Sequence, residues 1–144
     1  ARDLLPELEI FPGRGQIVVT EPIPDLKVRG SFHYNRGYTY FRNIDNRILL
    51  GGFRNLDTTT ERTTEPGLTD LVQTALENLL RETILPGVDT KIEFRWSGVM
   101  GFGPELQPIV KEVRPRVFCA VRCNGMGIAM GSLIGEQVAD LVKI

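Results

Sequence analysis

The sequence has few of the side chains that usually identify a metal or nucleophilic centre. Two cysteines, Cys119 and Cys123, and one histidine, His33, occur among 144 residues. The run that holds both cysteines favours a strand, where four residues span roughly 13 Å, too far for a disulfide bond. Two thiols and one imidazole also fall short of a structural zinc site. We therefore expect reduced thiols and no metal.

An excess of one charge and long apolar runs are missing as well. The 17 Lys and Arg residues nearly balance the 18 Asp and Glu residues, for a net charge of −1. Binding to nucleic acid is not expected, because there is no basic footprint. No apolar run approaches the ~20 residues of a membrane span, and the charged start, broken by Pro6, is not a signal peptide. These absences predict a cytoplasmic protein without a membrane partner.

The usual catalytic triads are also missing. No Gly-x-Ser-x-Gly pattern surrounds Ser31, Ser97 or Ser132, and His33 has no partner pattern that would make it a general base. The carboxylates are scattered, with no paired acid and base. The sequence therefore indicates neither a nucleophilic triad nor a paired acid and base.

Glycine, by contrast, is abundant. The sequence has 15 glycines in 144 residues, about 10% against a usual ~7%. Its 42% of hydrophobic residues are enough for the core of one domain. Seven of the glycines lie from Gly98 onward, so the excess is concentrated in the last third of the chain.

Hydrophobic patterning predicts a strand-rich chain with two helices. Residues 38–43 and 47–54 form a hairpin around Asp45-Asn46. Further strands are predicted at 16–20, 31–34, 91–96 and 116–122, and residues 97–108 are expected to be a loop. Consecutive hairpin strands favour an α+β fold, a largely antiparallel (mixed) sheet with helices packed on one face.

Both helices are predicted from apolar stripes. The first begins near Thr64 and ends at Pro86-Gly87. The second follows the turn Asn124–Gly127. The expected buried stripes are Leu68, Leu71, Val72, Ala75, Leu76, Leu79 and Leu80 in the first helix, and Met130, Leu133, Ile134, Val138, Leu141 and Val142 in the second.

Two clusters could bind a ligand. Tyr38, Tyr40 and Arg42 alternate and should share one sheet face with Arg54 nearby, which suits a carboxylate or a planar ring. A solvated sheet face explains the same pattern, and both interpretations stay open. The glycine-rich turn before the last helix should present free N–H groups to an anion or an electron-rich ring edge, although glycine caps have the same appearance.

Several segments, in order, resemble the FAD-dependent amine and amino-acid oxidases (the D-amino-acid oxidase and glycine oxidase group). Each is weak alone, but together they cover almost the whole chain. The similar segments are Phe11–Gln16 with P-x-R-G-Q, Tyr38–Gly52 with Y-x-x-P…G-x-x-x-x-G-G, Trp96–Met100 with W-x-G-x-R, Glu105–Pro108 with D-x-x-P, and Asn124–Leu141 with the closing glycine loop and helix.

The resemblance implies a fragment of a two-domain flavoenzyme. Residues 1–15 would be a connector from a missing N-terminal FAD-binding domain, residues 16–98 the substrate-binding domain, and residues 99–144 a C-terminal segment of the FAD site. The full-length protein would oxidise a C–N bond of an amine or amino-acid-like substrate through FAD. The fragment alone is expected to bind no FAD, to be inactive and to form homodimers through the exposed domain interface.

The resemblance also implies site residues. Tyr38, Tyr40 and Met100 would line the substrate pocket, with Arg42 and Arg54 as weaker anchors. Gly125, Met126, Gly127 and Ile128 would offer backbone N–H groups to the flavin.

Met100 departs from the family pattern, because it stands where the family has a carboxylate-binding arginine. A thioether cannot replace that bidentate contact. Either Arg42, Arg54 or Arg122 would compensate, or the substrate would be an amine or a larger molecule rather than a simple α-amino acid. The departure leaves two alternatives, a non-catalytic small-molecule binding module of the same fold and an unrelated α+β ligand binder.

Overall fold

The structure, a computed structural model, describes residues 5–142. Within this range the chain divides into a larger unit, residues 14–99, and a smaller unit formed by residues 5–13 and 100–142. The boundaries predicted at residues 15 and 98 lie close to this division, but the role assigned to each part stays a prediction. The outermost residues of the predicted connector and C-terminal segment, 1–4 and 143–144, lie outside the described range.

A five-stranded sheet forms the frame of the larger unit. Its strand order is β2-β3-β4-β1-β5, and the pairs β2/β3, β3/β4 and β1/β4 are antiparallel. The α+β class with a largely antiparallel sheet is thereby confirmed. The strands are β1 (Phe11–Thr20), β2 (Ser31–Tyr34), β3 (Thr39–Ile44), β4 (Arg47–Gly52) and β5 (Ile92–Phe102).

The predicted hairpin is confirmed as β3 and β4. Asp45 and Asn46 both have positive φ, 46° and 57°, and they connect the Ile44–Arg47 pair of the register. This geometry is the two-residue turn that matches the twist of a hairpin, and Asn and Asp tolerate it best. β3 begins and ends one residue later than predicted, because Tyr38 precedes it, and β4 is shorter than predicted, because the chain leaves it after Gly52.

Helix α1 (Asp70–Leu79) packs on one face of this sheet and continues into a π-helical turn, Leu80–Ile84. Its buried residues meet strand residues such as Val18, Ile48 and Leu50 in one core. The predicted stripe was wrong at its start, because Leu68 and Leu71 are 45% and 52% exposed while Gln73 is buried. The buried face of α1 therefore includes a polar side chain that is not part of the predicted stripe.

The helix also begins later than predicted. Residues before it are held in an extended path: the Gly67 N–H donates to Ser97 Oγ at 2.9 Å, and the Glu65 carbonyl accepts from Arg14. Thr69 is the N-cap. These long-range bonds outweigh the local start signal at Thr64-Glu65-Pro66.

The smaller unit contains a second hairpin and the last helix. Strands β6 (Ile109–Arg114) and β7 (Val117–Val121) pair antiparallel, and helix α2 (Gly127–Val142) packs on both. No strand is predicted at 109–114, and the loop predicted from 97 was wrong, because β5 continues to Phe102. At Gly101, within this continuation, a Cβ would lie 3.4 Å from Ile10 Cγ2 and 3.9 Å from Arg122 Cα, which are ordinary contact distances.

Helix α2 presents much of its apolar surface to solvent. Ile134 is buried, but Leu133 and Val142, from the predicted stripe, are 55% and 58% exposed, and Ile128 is fully exposed. The predicted burial was therefore wrong for Leu133 and Val142, while Met130, Val138 and Leu141 are half-buried. In the part of the chain described here, no helix is long and apolar enough to cross a membrane.

Leu76 and Leu71 provide a direct test of the observed helix face. Leu76 is completely buried and Leu71 is half exposed. We expect Leu76→Ala to lower the free energy of unfolding by about 2–5 kcal/mol, because it leaves a cavity under α1, and Leu71→Ala to change it by less than about 0.5 kcal/mol. Urea unfolding of both variants measures the difference; equal losses would contradict the observed face.

Candidate functional site

Tyr40 and Arg42 lie on the sheet face that points away from α1. In the register, Tyr40 is opposite Gly51 and Arg42 is opposite Leu49, whereas the core residue Leu50 belongs to the other face. The predicted alternation therefore holds for these two residues. Tyr38 lies in an αR conformation one residue before β3, so strand alternation does not determine its direction.

The ring of Tyr40 covers the backbone of Gly51. A Cβ at Gly51 would lie 2.8 Å from Tyr40 Oη and 2.9 Å from Cζ, and would collide with Ile17 Cδ1. Glycine is thus required for the phenol to lie flat between its neighbours. Burial raises the pKa of the Tyr40 phenol, so it stays protonated at neutral pH and can donate a hydrogen bond.

Arg54 begins a short 3-10 turn, Arg54–Leu56, that follows β4. It lies outside β4, which ends at Gly52, whereas the sequence predicts that the strand reaches residue 54. The Phe53 N–H donates to the Tyr38 carbonyl at 3.2 Å, which fixes the chain before Arg54 to the chain before β3. Tyr38 and Arg54 are thus brought close through the backbone, and Arg54 is half-buried.

A buried polar cluster around Glu61, which no sequence pattern indicates, holds the loop between β4 and α1. Glu61 is 1% exposed, and its carboxylate accepts from Arg14 Nε at 2.8 Å and from Arg14 Nη2 at 3.2 Å. Gln16 Nε2 and Thr69 Oγ1 also donate to it, at 3.0 and 2.8 Å. Arg14 and Gln16 belong to the Phe11–Gln16 segment that carries the family resemblance, whereas Glu61 and Thr69 do not. The sequence therefore pointed to only half of the cluster.

The cluster continues into α1. Gln16 Oε1 accepts from the Thr69 N–H at the helix start, 3.0 Å, and from Gln73 Nε2, 3.1 Å. Arg95 on β5 then donates to Gln73 Oε1 at 2.7 Å and pairs with Glu77. This chain of bonds explains why Gln73 is buried and connects β1, the loop, α1 and β5.

The ionisation of Glu61 is stabilised by its partners. Burial alone raises the pKa of Glu61, but the hydrogen bonds from Arg14, Thr69 and Gln16 outweigh it and hold the pKa below its ordinary value. The same contact raises the pKa of Arg14. Both groups are charged at neutral pH, as a fully hydrogen-bonded buried pair requires.

In the smaller unit, Met100 is a half-buried residue of β5. The next residue, Gly101, accepts a hydrogen bond from the Asn124 N–H at 3.2 Å, so the end of β5 runs beside the turn that precedes α2. Met100 and that turn, both predicted site elements, are thus close within this unit.

Arg122 and Asn124 hold this turn in shape. The Arg122 guanidinium donates to the Gln107 carbonyl at 2.9 and 3.2 Å and pairs with Glu105 at 3.3 Å. Asn124 Nδ2 donates to the Glu105 carbonyl at 3.0 Å, and the Gly103 N–H donates to Asn124 Oδ1, also at 3.0 Å. Since Arg122 is buried in these contacts, it does not replace the missing substrate-binding arginine.

The start of α2 fits an electron-rich group. The first N–H groups of a helix have no partner within it, and they carry about half a positive charge. Gly125 has a φ of 84°, with open space where a Cβ would be, and Met126 and Ile128 are exposed. Within the predicted segment Gly125–Ile128, the Met126 N–H donates to the Cys123 carbonyl at 2.9 Å. The predicted contact with an electron-rich ring edge therefore depends on the N–H groups of Gly125, Gly127 and Ile128.

The residues that the structure describes form no metal site. Among residues 5–142, no group of three or more His, Cys, Asp or Glu side chains is placed to hold a metal ion. Cys119 and Cys123 are free thiols, half-buried in and after β7.

Comparison with known proteins gives a family match over almost the whole chain. The model of the family described as "FAD dependent oxidoreductase" matches residues 1–141. A curated protein, "Probable oxidoreductase OrdL" of Haemophilus influenzae, is 25% identical, with the match covering 93% of this chain and 30% of that protein.

Solved structures show the same fold. Glycine oxidase from Geobacillus kaustophilus has a TM-score of 0.76 at 20% identity, covering 94% of this chain and 36% of that one. L-proline dehydrogenase from P. horikoshii has a TM-score of 0.74 at 19% identity, covering 92% and 36%. The chain spans about a third of the length of the relatives it matches.

The Glu61 cluster predicts how stability depends on pH. Since the pKa of Glu61 is lower in the folded chain, its contribution is complete above the ordinary value of 4.5 and is lost as the pH falls through the folded value. Glu61→Gln should cost about 3–5 kcal/mol at pH 7, because the Arg14 charge stays buried without its partner.

Denaturant unfolding from pH 3 to 7 measures this effect. The variant should lose stability less steeply in acid than the parent. Glu65→Gln, at an exposed acid of the same loop, is the control and should leave the pH dependence unchanged. An equal acid dependence in the parent and Glu61→Gln would contradict the assignment.

Proposed function

Because this chain belongs to the family of FAD-dependent oxidoreductases, we propose that it is part of a longer enzyme that oxidises a C–N bond of an amine or amino-acid-like substrate. Its share of the enzyme is the substrate-binding domain, residues 16–98, and a C-terminal segment of the FAD site, residues 99–144. The observation that carries the proposal is the protonated Tyr40 phenol beside Arg42 on the sheet face away from α1.

Tyr40 and Tyr38 bind and orient the substrate. The Tyr40 hydroxyl donates a hydrogen bond to a substrate oxygen, and its raised pKa keeps that proton in place. The flat position over Gly51 preorganises the ring and reduces the entropy lost on binding. Tyr38, 52% exposed, covers the substrate from the neighbouring turn.

Arginine contacts replace the carboxylate anchor that Met100 cannot supply. Arg42 is exposed on the Tyr40 face, and Arg54 follows β4 near Tyr38, so both can reach the same ligand. Arg122 is excluded from this role by its contacts with Glu105 and Gln107. The assignment of Met100 to the pocket wall stays a prediction.

Bound FAD would supply the redox chemistry, as acceptor of the hydride from the substrate carbon. The backbone N–H groups of Gly125, Gly127 and Ile128 would hold its electron-rich edge and stabilise negative charge there, whereas the Met126 N–H is engaged with the Cys123 carbonyl. The amine nitrogen loses a proton as the carbon loses the hydride, which leaves an imine for hydrolysis. The residues named here orient and desolvate the substrate, in agreement with the lack of a catalytic triad.

The N-terminal FAD-binding domain is the proposed partner of the exposed apolar face of α2. Ile128 and Val142, which lie fourteen residues apart and so on nearly the same side of α2, form part of this face. Burying it would stabilise the association. Without that domain, the same surface favours self-association.

Flavin reduction tests the proposed reaction. The full-length polypeptide with FAD should lose its oxidised absorbance anaerobically when a member of an amine and amino-acid panel is added. Tyr40→Phe should lower kcat/KM for that substrate by roughly tenfold, because one hydrogen bond is lost. Tyr34→Phe is the control, since Tyr34 pairs with Thr39 on the other face.

The results separate enzyme from binding module. Reduction by an amine supports the oxidoreductase. Ligand binding at the Tyr40 face without flavin reduction by any amine would support the non-catalytic module. Methionine at position 100, where the family has a carboxylate-binding arginine, is the observation that favours this alternative.

The isolated 144-residue chain should differ from the full-length protein. We expect it to copurify without stoichiometric FAD, and to form dimers at high concentration. Absorbance near 450 nm and light scattering measure the two properties. Ile128→Ser, at a fully exposed apolar residue, should shift the chain toward monomer, with Ser132→Ala as the control on the same helix. A yellow or strictly monomeric chain would contradict these expectations.

A further inference from the structure

The charge of the chain is strongly segregated around the first hairpin strands. Between residues 27 and 54, six of seven charged side chains are cationic and Asp45 is the only acid, although the whole chain has a net charge of −1. Such a concentration of one sign creates a local positive potential that attracts anions.

Four of these cations remain exposed to solvent. Arg47 is engaged with Glu93 and the Thr20 carbonyl, and Arg54 is half-buried. Lys27, Arg29, Arg36 and Arg42 are exposed and belong to no ion pair among those formed within residues 5–142. Their charges are thus available to an external ligand.

The backbone places these cations around one pair of side chains. In the register, His33 is opposite Tyr40 and Ser31 is opposite Arg42. The Gly30 N–H donates to Asn43 Oδ1 at 2.8 Å, which brings Arg29 to the Arg42 end. At the other end, a Cβ at Gly37 would be 3.7 Å from His33 Nδ1, so the turn that carries Arg36 folds against His33.

The cations therefore flank the His33–Tyr40 pair on both sides. A zwitterionic amino acid has no net charge and gains little from such a field, whereas a ligand with two carboxylates can satisfy a guanidinium at each end. We propose that this hairpin surface, defined by Arg29, Arg36 and Arg42 around the His33–Tyr40 pair, selects a net-anionic substrate, an amine that carries two carboxylates. The inference rests on the proposed function and specifies its substrate class.

Binding of an unreactive dianion tests this surface apart from catalysis. Isothermal titration of the full-length FAD-loaded protein should show malonate binding at least roughly tenfold more tightly than acetate. The affinity for malonate should fall as NaCl rises from 20 to 200 mM, because the exposed charges are screened. Equal affinities, or an affinity for malonate independent of salt, would overturn the proposal.

Substitutions identify the cations responsible. Arg42→Gln and Arg36→Gln should each weaken malonate binding by roughly tenfold, and Arg42→Lys should retain most of the affinity, since it keeps the charge. Arg116→Gln is the matched control for Arg36, because both arginines have positive φ, 62° and 58°, in exposed turns. Unchanged binding in both glutamine variants would also overturn the proposal.

Kinetics on an amine panel distinguish this inference from the proposed function. If malonate binds as expected but no amine reduces the flavin, the proposed reaction fails and the anion surface stands. If monocarboxylate or uncharged amines reduce the flavin as efficiently as dicarboxylate amines, with Arg42→Gln unaffected, the reaction stands and the substrate class is wrong.

Discussion

The buried carboxylate of Glu61 is the hydrogen-bond acceptor on which the larger unit depends. It accepts from Arg14, Gln16 and Thr69, and so connects β1 with the loop after β4 and with the start of α1. Each of these donors is polar and lies at or near the core, and each would cost free energy if it were left without a partner. The backbone path from Phe53 to Thr69 follows from satisfying them together, and with it the position of Arg54 and the first turn of α1.

The two faces of the sheet consequently carry different kinds of side chain. Val18, Ile48 and Leu50 pack under α1 and provide apolar burial. The opposite face carries Tyr40 and Arg42, and glycine at position 51 leaves room for the phenol ring. A binding surface on a sheet that is already anchored by a core can keep its side chains in place without a ligand, which is what preorganisation requires.

The features predicted correctly are those with a local physical cause. Asp45-Asn46 specify the hairpin turn, because few other residues accept positive φ twice in succession, and the strand period places Tyr40 and Arg42 on one face. The predictions were wrong where contacts with residues distant in the sequence determine the local structure. Gln73 is buried, although the pattern does not include it, because Gln16 and Arg95 provide hydrogen bonds for it. These partners are 57 and 22 residues away.

For several residues, the residue type suggested one role in the sequence, but the structure shows another. Arg122 is a plausible anion anchor in the sequence, yet the carbonyl of Gln107 and the side chain of Glu105 occupy its guanidinium. The glycines at 98 and 101 suggest a loop, although β5 runs through both of them.

The sequence by itself determined the α+β class, the first hairpin, the glycine-rich start of the last helix and the resemblance to FAD-dependent oxidoreductases. All of these depend on residues near one another in the chain or on their order along it. Only the tertiary structure decided that Glu61 is the buried partner of Arg14, that Arg122 is structural, and that the exposed cations flank Tyr40. Hydrogen bonding, burial and electrostatic fields act through space, so their partners cannot be identified from spacing along the chain.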